Sequence, residues 1–193
     1  MSIDFYQRNA SDFFDRTVQI DMSGPRDRFA AGLRRGAKVL DAGCGSGRDA
    51  RAFHEMGFQV TAIEAAPALA ALARAETGLP VEVMTFDQIA WRGAFDGIWA
   101  CASLLHVPRE HLADTLTRLR DALAPNGLLW MSFKLGTQDR RESGRLFTDM
   151  NQDGVTALLA EVGGLALLEM VISDGRGYQA DIRWLAVTCR RST

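Results

Sequence analysis

Apolar positions change their period several times along this chain. Between residues 4 and 18, Tyr6, Ala10, Phe13, Phe14 and Val18 recur at helical spacing among Asp4, Arg8, Asp12 and Asp15, which predicts an amphipathic helix. Pro25 opens a second short helix to residue 33, and Gly36 ends that segment. Strand and helix patterns then alternate. Strands are predicted over 38–41, 59–63 (running into Glu64), 81–84 and 95–100, with helices over 48–56, 67–75 and 108–123. Leu112, Leu116, Leu119 and Leu123 make one face of the last of these. Pro125-Asn126-Gly127 reads as a turn, and the continuous apolar run 128–133 as a strand buried on both faces. Residues 135–147 are polar and basic and read as a loop. A final helix is centred on 155–162 and stopped by Gly163-Gly164. Two apolar strands, 165–173 and 180–188, are joined as a hairpin by the segment 174–178.

Alternation of this kind implies a parallel sheet with right-handed crossovers. The expected fold is α/β, a three-layer Rossmann-like doubly wound sheet, mostly parallel, with one antiparallel strand supplied by the C-terminal hairpin. No internal repeat or low-complexity linker interrupts the pattern, so residues 1–193 read as one domain with 1–35 as an N-terminal helical cover. At 193 residues and 47% hydrophobic content, such a domain can bury a sizeable core.

Composition narrows the function classes. A net charge of −2 speaks against a general nucleic-acid binder, which would show a basic stripe. The three cysteines, Cys44, Cys101 and Cys189, are far apart and have no metal-ligand spacing, so no metal site is expected. The first residues lack the basic and apolar regions of a signal peptide, and no apolar run reaches the ~20 residues of a membrane span. These features predict a cytoplasmic protein without membrane contact. They leave its oligomeric state open.

The chemistry concentrates where the first strand ends. Asp41 is followed by Gly43, Cys44, Gly45, Ser46 and Gly47, a turn whose glycines permit positive φ and leave backbone N–H groups uncovered for a ligand. The dinucleotide fingerprint needs a third glycine where Arg48 stands, and no phosphate-loop Gly-Lys-Ser/Thr is present. An acid before the turn would repel a pyrophosphate but suits a cation or a hydrogen-bond donor. Glu64 ends the second strand, where an acid can bind ribose hydroxyls. Two plainer readings stand beside these: Asp41 caps the turn, and Glu64 favours the next helix through its dipole.

With Asp87 after the third strand, the fourth strand Phe95-Asp-Gly-Ile-Trp-Ala100 and Pro125-Asn-Gly127, these pieces resemble the class I S-adenosylmethionine-dependent methyltransferases. The Ile98-to-Pro108 run resembles small bacterial tellurite-resistance-like members. The resemblance implies S-adenosyl-L-methionine as cofactor. It places the backbone of Gly43, Cys44, Gly45 and Gly47 against the methionine portion and ribose, and Asp41 near the methionine amine. Glu64, with Ala65 beside it, goes to the ribose; Phe86 and Asp87 go to the adenine; Ala100 lines the pocket. For Asp87 an ordinary loop role stands as the alternative.

The methyl acceptor is expected from the irregular segments. The Asn/Asp-Pro-Pro-Tyr/Phe signal of nucleobase-amine and Gln methyltransferases is absent after strand four, which speaks against those substrates. His106 stands there instead, either as a catalytic base or as a loop-shaping contact to the cofactor. Tyr6, Arg16 and Thr17 face the pocket if the N-terminal helix is a lid, and otherwise simply belong to a packed helix. Lys134, Arg140, Arg141 and Arg145 either attract an anionic substrate or sit in a solvated loop. The leading reading is a methyltransferase acting on a small molecule. A nucleic-acid or protein methyltransferase, a nucleotide-dependent oxidoreductase and a non-catalytic cofactor-binding protein remain as alternatives.

Overall fold

The computed structural model describes residues 2–192, except for the side chain of Tyr178. Five parallel strands form its centre: β1 (Lys38–Ala42), β2 (Gln59–Glu64), β3 (Val81–Val83), β4 (Phe95–Ala100) and β5 (Leu123–Lys134). A short separate hairpin, β6 (Asp139–Glu142) and β7 (Arg145–Thr148), follows β5. The strands β8 (Leu165–Asp174) and β9 (Arg183–Arg191) complete a seven-stranded sheet of order β3-β2-β1-β4-β5-β9-β8. β9 runs against both its neighbours, so the expected mostly parallel sheet with one antiparallel strand is what the chain forms.

Alternation along the buried strands assigns the layers. Ile98 and Ala100 of β4, with Leu129, Met131 and Phe133 of β5, pack under α6 (Arg109–Ala122) and α7 (Gln152–Val162). Trp99 and Trp130 point the other way, into a cluster with Phe29 of α3 (Ser23–Ala31) and Phe53 of α4 (Arg48–Glu55). Their two indoles stack at 3.8 Å. α5 (Pro67–Thr77) lies beside α4, its Ala70 and Ala73 against Ala62 and Val81.

The structure departs from the predicted elements at four places. The N-terminal helix is two helices, α1 (Ser2–Arg8) and α2 (Ala10–Thr17), broken where the Asn9 amide bonds back to the Phe5 carbonyl. Pro125-Asn126-Gly127 is an irregularity inside a longer β5 rather than a turn before it: pairing with β4 shifts between Phe95 and Gly97, and Asn126 takes φ 63°. The last strand begins at Arg183, after a 3-10 turn over Gly177–Gln179.

The fourth departure matters most for the site. Residues 139–148 form the β6–β7 hairpin, not a loop. Ser143 (φ 51°) and Gly144 (φ 80°) make its two-residue connection, and positive φ at both positions matches the right-handed twist of the strands. Replacing Gly144 with Ala should therefore destabilise the chain by about 1 kcal/mol, the cost of a left-handed β-carbon. Nothing lies within 4 Å of that added carbon, so conformational strain alone should account for the loss in urea unfolding.

Candidate active site

A cavity of about 820 Å³ opens at the carboxyl ends of the parallel strands, where β1 and β4 lie side by side and the strand order reverses. Ligands of doubly wound folds sit at this switch point. Its walls come from the glycine turn, the ends of β2 and β5, the segments after β3 and β4, and the hairpin, while α1 and α2 cover it. Tyr6, Thr17, Asp41, Gly43, Cys44, Gly45, Glu64, Ala65, Phe86, Asp87, His106 and Arg141 all line it.

Three predicted site residues lie elsewhere. Ala100 is fully buried under α6, because strand alternation turns it to the same face as Ile98; the cavity wall begins one residue later, at Cys101. Arg16 is exposed on the outer face of α2, paired with Asp12 one turn away. Phe13 and Thr17, four residues apart, hold the inner face. Gly47 precedes α4 at φ 79°, and a side chain there would come within 2.6 Å of Thr77, so it serves the packing of α4 on α5.

The glycine turn works differently from the expected open cradle of N–H groups. Gly43 and Cys44 both donate to the Ile63 carbonyl (3.0 and 2.9 Å), and Gly47 donates to Cys44. Gly45 donates to Oε2 of Glu64 at 3.1 Å. The turn therefore offers shape and close approach, with these donors already engaged. A β-carbon on Gly43 would stand 2.5 Å from Ser103, and one on Gly45 3.3 Å from the Phe13 ring of the cover.

Carboxylates dominate this end of the cavity. Glu64 receives the Gly45 bond and a second from Ala66 at 2.9 Å, yet burial still raises its pKa. Asp49 is held by Arg26 (2.8 Å), by Arg48 (2.6 Å) and by the Trp99 indole (3.0 Å). Burial pushes its carboxyl up, but Arg48 and Arg26 outweigh that and keep it below its ordinary range. Asp41, 1% exposed, has one carboxylate oxygen with no partner among the described residues. Burial first, and then the neighbouring Asp49, drive its pKa well above normal. An orphaned acceptor beside two further acids suits a ligand that brings hydrogen and positive charge, and it would repel a pyrophosphate.

Arg48 and Asp49 were missed as site residues. An arginine in the first turn of a helix opposes the helix dipole, so Arg48-Asp49 directly after the glycine turn carries a signal of a buried ion pair. Arg48 also donates to the Thr17 carbonyl of α2 at 3.3 Å, which ties the cover to the cavity floor.

At the other end, the 3-10 turn Leu104–His106 after β4 presents the His106 ring. Its Nδ1 is 2.6 Å from the Leu146 carbonyl of β7. A carbonyl only accepts, so Nδ1 carries the proton and Nε2 accepts from the Tyr6 hydroxyl, also at 2.6 Å. Burial, and then the charges of Arg145 and Lys134, outweigh the Leu146 bond and lower the His106 pKa to about 4.

Two measurements follow. Arg48→Met should cost about 3 kcal/mol in urea unfolding, because it withdraws the larger share of the cation compensation from a buried carboxylate. His106 should give the ¹⁵N shifts of a neutral ring protonated at Nδ1 throughout pH 5–8, titrating near 4. Since its folded pKa lies below the ordinary 6.5, stability from this site is intact above pH 6.5 and declines as the pH falls from 6.5 towards 4.

Comparison with known proteins places this geometry. Residues 39–127 match the family described as "Methyltransferase domain". Over 107 residues the chain is 37% identical to the ubiquinone biosynthesis O-methyltransferase of Xanthomonas campestris, matching 50% of this chain and 43% of that protein. The chain thus spans less than half the length of the curated relatives it matches. Among solved structures, the 1,6-didemethyltoxoflavin-N1-methyltransferase of Burkholderia thailandensis, bound to 1,6-didemethyltoxoflavin and S-adenosylhomocysteine, aligns with a TM-score of 0.79 at 23% identity over 99% of this chain and 85% of its own. A TehB-like methyltransferase of Corynebacterium glutamicum aligns with a TM-score of 0.71 at 20% identity over 98% of each chain. Residues 39–127 of this chain thus match a methyltransferase domain, and the whole chain shares the fold of solved methyltransferases, one of them holding S-adenosylhomocysteine.

Proposed function

We propose that the protein transfers a methyl group from S-adenosylmethionine to a small-molecule acceptor. The observation that carries this reading is the covered cavity itself. Its acidic end has an orphaned carboxylate oxygen on Asp41, and its far end has a neutral histidine under α1. A cavity of about 820 Å³ beneath two helices suits a cofactor and a small acceptor better than a polymer. The names of the relatives, an O-methyltransferase of ubiquinone biosynthesis and a toxoflavin-type N-methyltransferase, support the same acceptor class.

Each residue then has a defined task. Asp41 accepts from the methionine ammonium, and Glu64 accepts from the ribose hydroxyls. Phe86 and Asp87 meet the adenine. Gly43, Cys44, Gly45 and Ala65 shape the wall. When bound, S-adenosylmethionine supplies an electrophilic methyl on a sulfonium; the chain supplies alignment and exclusion of water. His106 is neutral at physiological pH and takes the acceptor's proton on Nε2 once the Tyr6 hydroxyl yields that position. Tyr6, Phe13 and Thr17 close the cavity, and residues 1–35 act as its cover within one domain.

The free thiols of Cys44, Cys101 and Cys189 suit a reducing, cytoplasmic setting. Among the described residues no helix is long and apolar enough to cross a membrane. The net charge of −2 places nucleic acid low among candidate acceptors.

Calorimetric titration with S-adenosylmethionine, S-adenosylhomocysteine and NAD should show binding of the first two and not the third. NAD binding without S-adenosylhomocysteine binding overturns the reading. In a methyl-donor assay run over small phenols, thiols, amines, oxyanions and tRNA, turnover should appear with a small molecule. His106→Ala should then lower kcat about 100-fold or more and leave the affinity for S-adenosylhomocysteine within a few-fold. Unchanged turnover would remove His106 from the chemistry.

A further inference from the structure

The ring of Phe147 on β7 is a meeting point of charges. Lys134 Nζ stands 3.9 Å from its centre, the Arg140 guanidinium 4.6 Å and that of Arg145 5.0 Å. The ring centre of His106 is also 5.0 Å away. The carboxylates nearby are already engaged. Asp149 and Glu142 are bound by Arg140 at 2.8 and 2.6 Å, and Asp139 by Arg109 at 2.7 Å. Arg140 serves two of these acids and Arg109 the third, so five cations face three carboxylates here; Lys134, Arg141 and Arg145 line the cavity, and none of them forms an ion pair among the described residues.

Two of these cations are poorly placed unless something else joins them. Lys134 ends the central strand β5 and is only 6% exposed, and burial holds the pKa of its ammonium below the ordinary value. Attraction to the Phe147 face offsets part of that burial. Arg145 lies over the Phe5 ring of α1 at 4.3 Å, and its Nε is buried without a hydrogen-bond partner. Buried charge is usually paired, and the carboxylates of Asp41, Asp49 and Glu64 belong to the opposite end of the cavity, around the glycine turn. The missing counter-charge fits a ligand.

We propose that the acceptor is an anionic small molecule whose carboxylate, phosphate or comparable oxyanion seats on Lys134 and Arg145, with Arg141 at the rim. This deepens the methyltransferase reading and rests on it. The anion anchors the acceptor beside His106 and Phe147, while the apolar walls from Leu105, Leu146 and Trp184 hold its body. Cations of this kind also select: a neutral analogue leaves Lys134 and Arg145 unpaired and binds more weakly.

The test uses the full chain with benzoate, methylphosphonate and the neutral benzamide as probes, followed by NMR with and without S-adenosylhomocysteine. Benzoate or methylphosphonate should shift the Phe147 and His106 resonances, and whichever binds tells carboxylate from phosphate chemistry. Benzamide should bind at least about tenfold more weakly than the preferred anion. Lys134→Met should weaken that anion about tenfold or more, and Lys134→Arg should restore it to within about threefold. If Lys134→Met does not fold, Arg145→Gln with Arg141→Gln takes its place, with the same loss expected. The proposal is overturned if benzamide binds as tightly as the anions, if the charge-removing variants bind them unchanged, or if neither anion binds. Failure of the unaltered chain to bind either anion while it binds S-adenosylhomocysteine defeats this inference alone. Lysine-dependent anion binding without S-adenosylhomocysteine binding defeats the methyltransferase reading instead.

Discussion

The structure hangs on the buried carboxylate of Asp49. This one group fixes the start of α4 and accepts from the indole that stacks on Trp130. It also holds α3 through Arg26, and through Arg48 it reaches the carbonyl end of α2. α3, α4 and β4 therefore meet on two oxygens, and Arg48 ties α2 to the same point. A carboxylate can be buried so deeply only because every lone pair finds a donor and two guanidinium groups balance its charge. The glycine turn directly precedes this knot, and the N–H groups of Gly43, Cys44, Gly45 and Gly47 are engaged with Ile63, Cys44 and Glu64. The floor of the cavity is thus set before any ligand arrives.

Asp41 meets the opposite outcome in the same surroundings. Asp41 and Asp49 are both buried, and Asp41 feels the charge of Asp49. Asp49 is saturated with donors and stays ionised; Asp41 keeps an oxygen without a partner and is pushed towards protonation. The cavity is polarised accordingly. Acids gather at the carboxyl ends of β1 and β2, and cations gather at the end of β5 and on the hairpin.

The periodic part of the sequence carried most of the architecture. Strand–helix alternation from Lys38 to Val162 determines the parallel sheet, and the terminal apolar pair supplies the antiparallel strand. Asp41, Glu64, Asp87 and His106 were legible as cavity residues because strand ends are where such folds place their ligands. What failed did so for local reasons. Ala100 was read as a wall residue, but alternation turns it into the core beside Ile98. Arg16 belongs to the same helix as Phe13 and Thr17, yet its angular position puts it in solvent. The hairpin was hidden because its strands are charged and Ser143-Gly144 is a weaker turn signal than Asn-Gly. Tyr6 and His106 meet across 100 residues, and no period encodes such a meeting.

Hairpin tips on protein surfaces ordinarily accept insertions and deletions freely. This one has no such freedom. Its two-residue connection sets Arg141 opposite Leu146, and with that register the Leu146 carbonyl faces Nδ1 of His106. A single inserted residue drawn into the paired strands would reverse the alternation of β7, turning that carbonyl away and carrying Phe147 and Arg145 to the other side, away from Lys134 and Arg140. The length of a solvent-exposed turn is thereby tied to which ring nitrogen holds a proton, so sequence variation at this tip should be confined to substitutions.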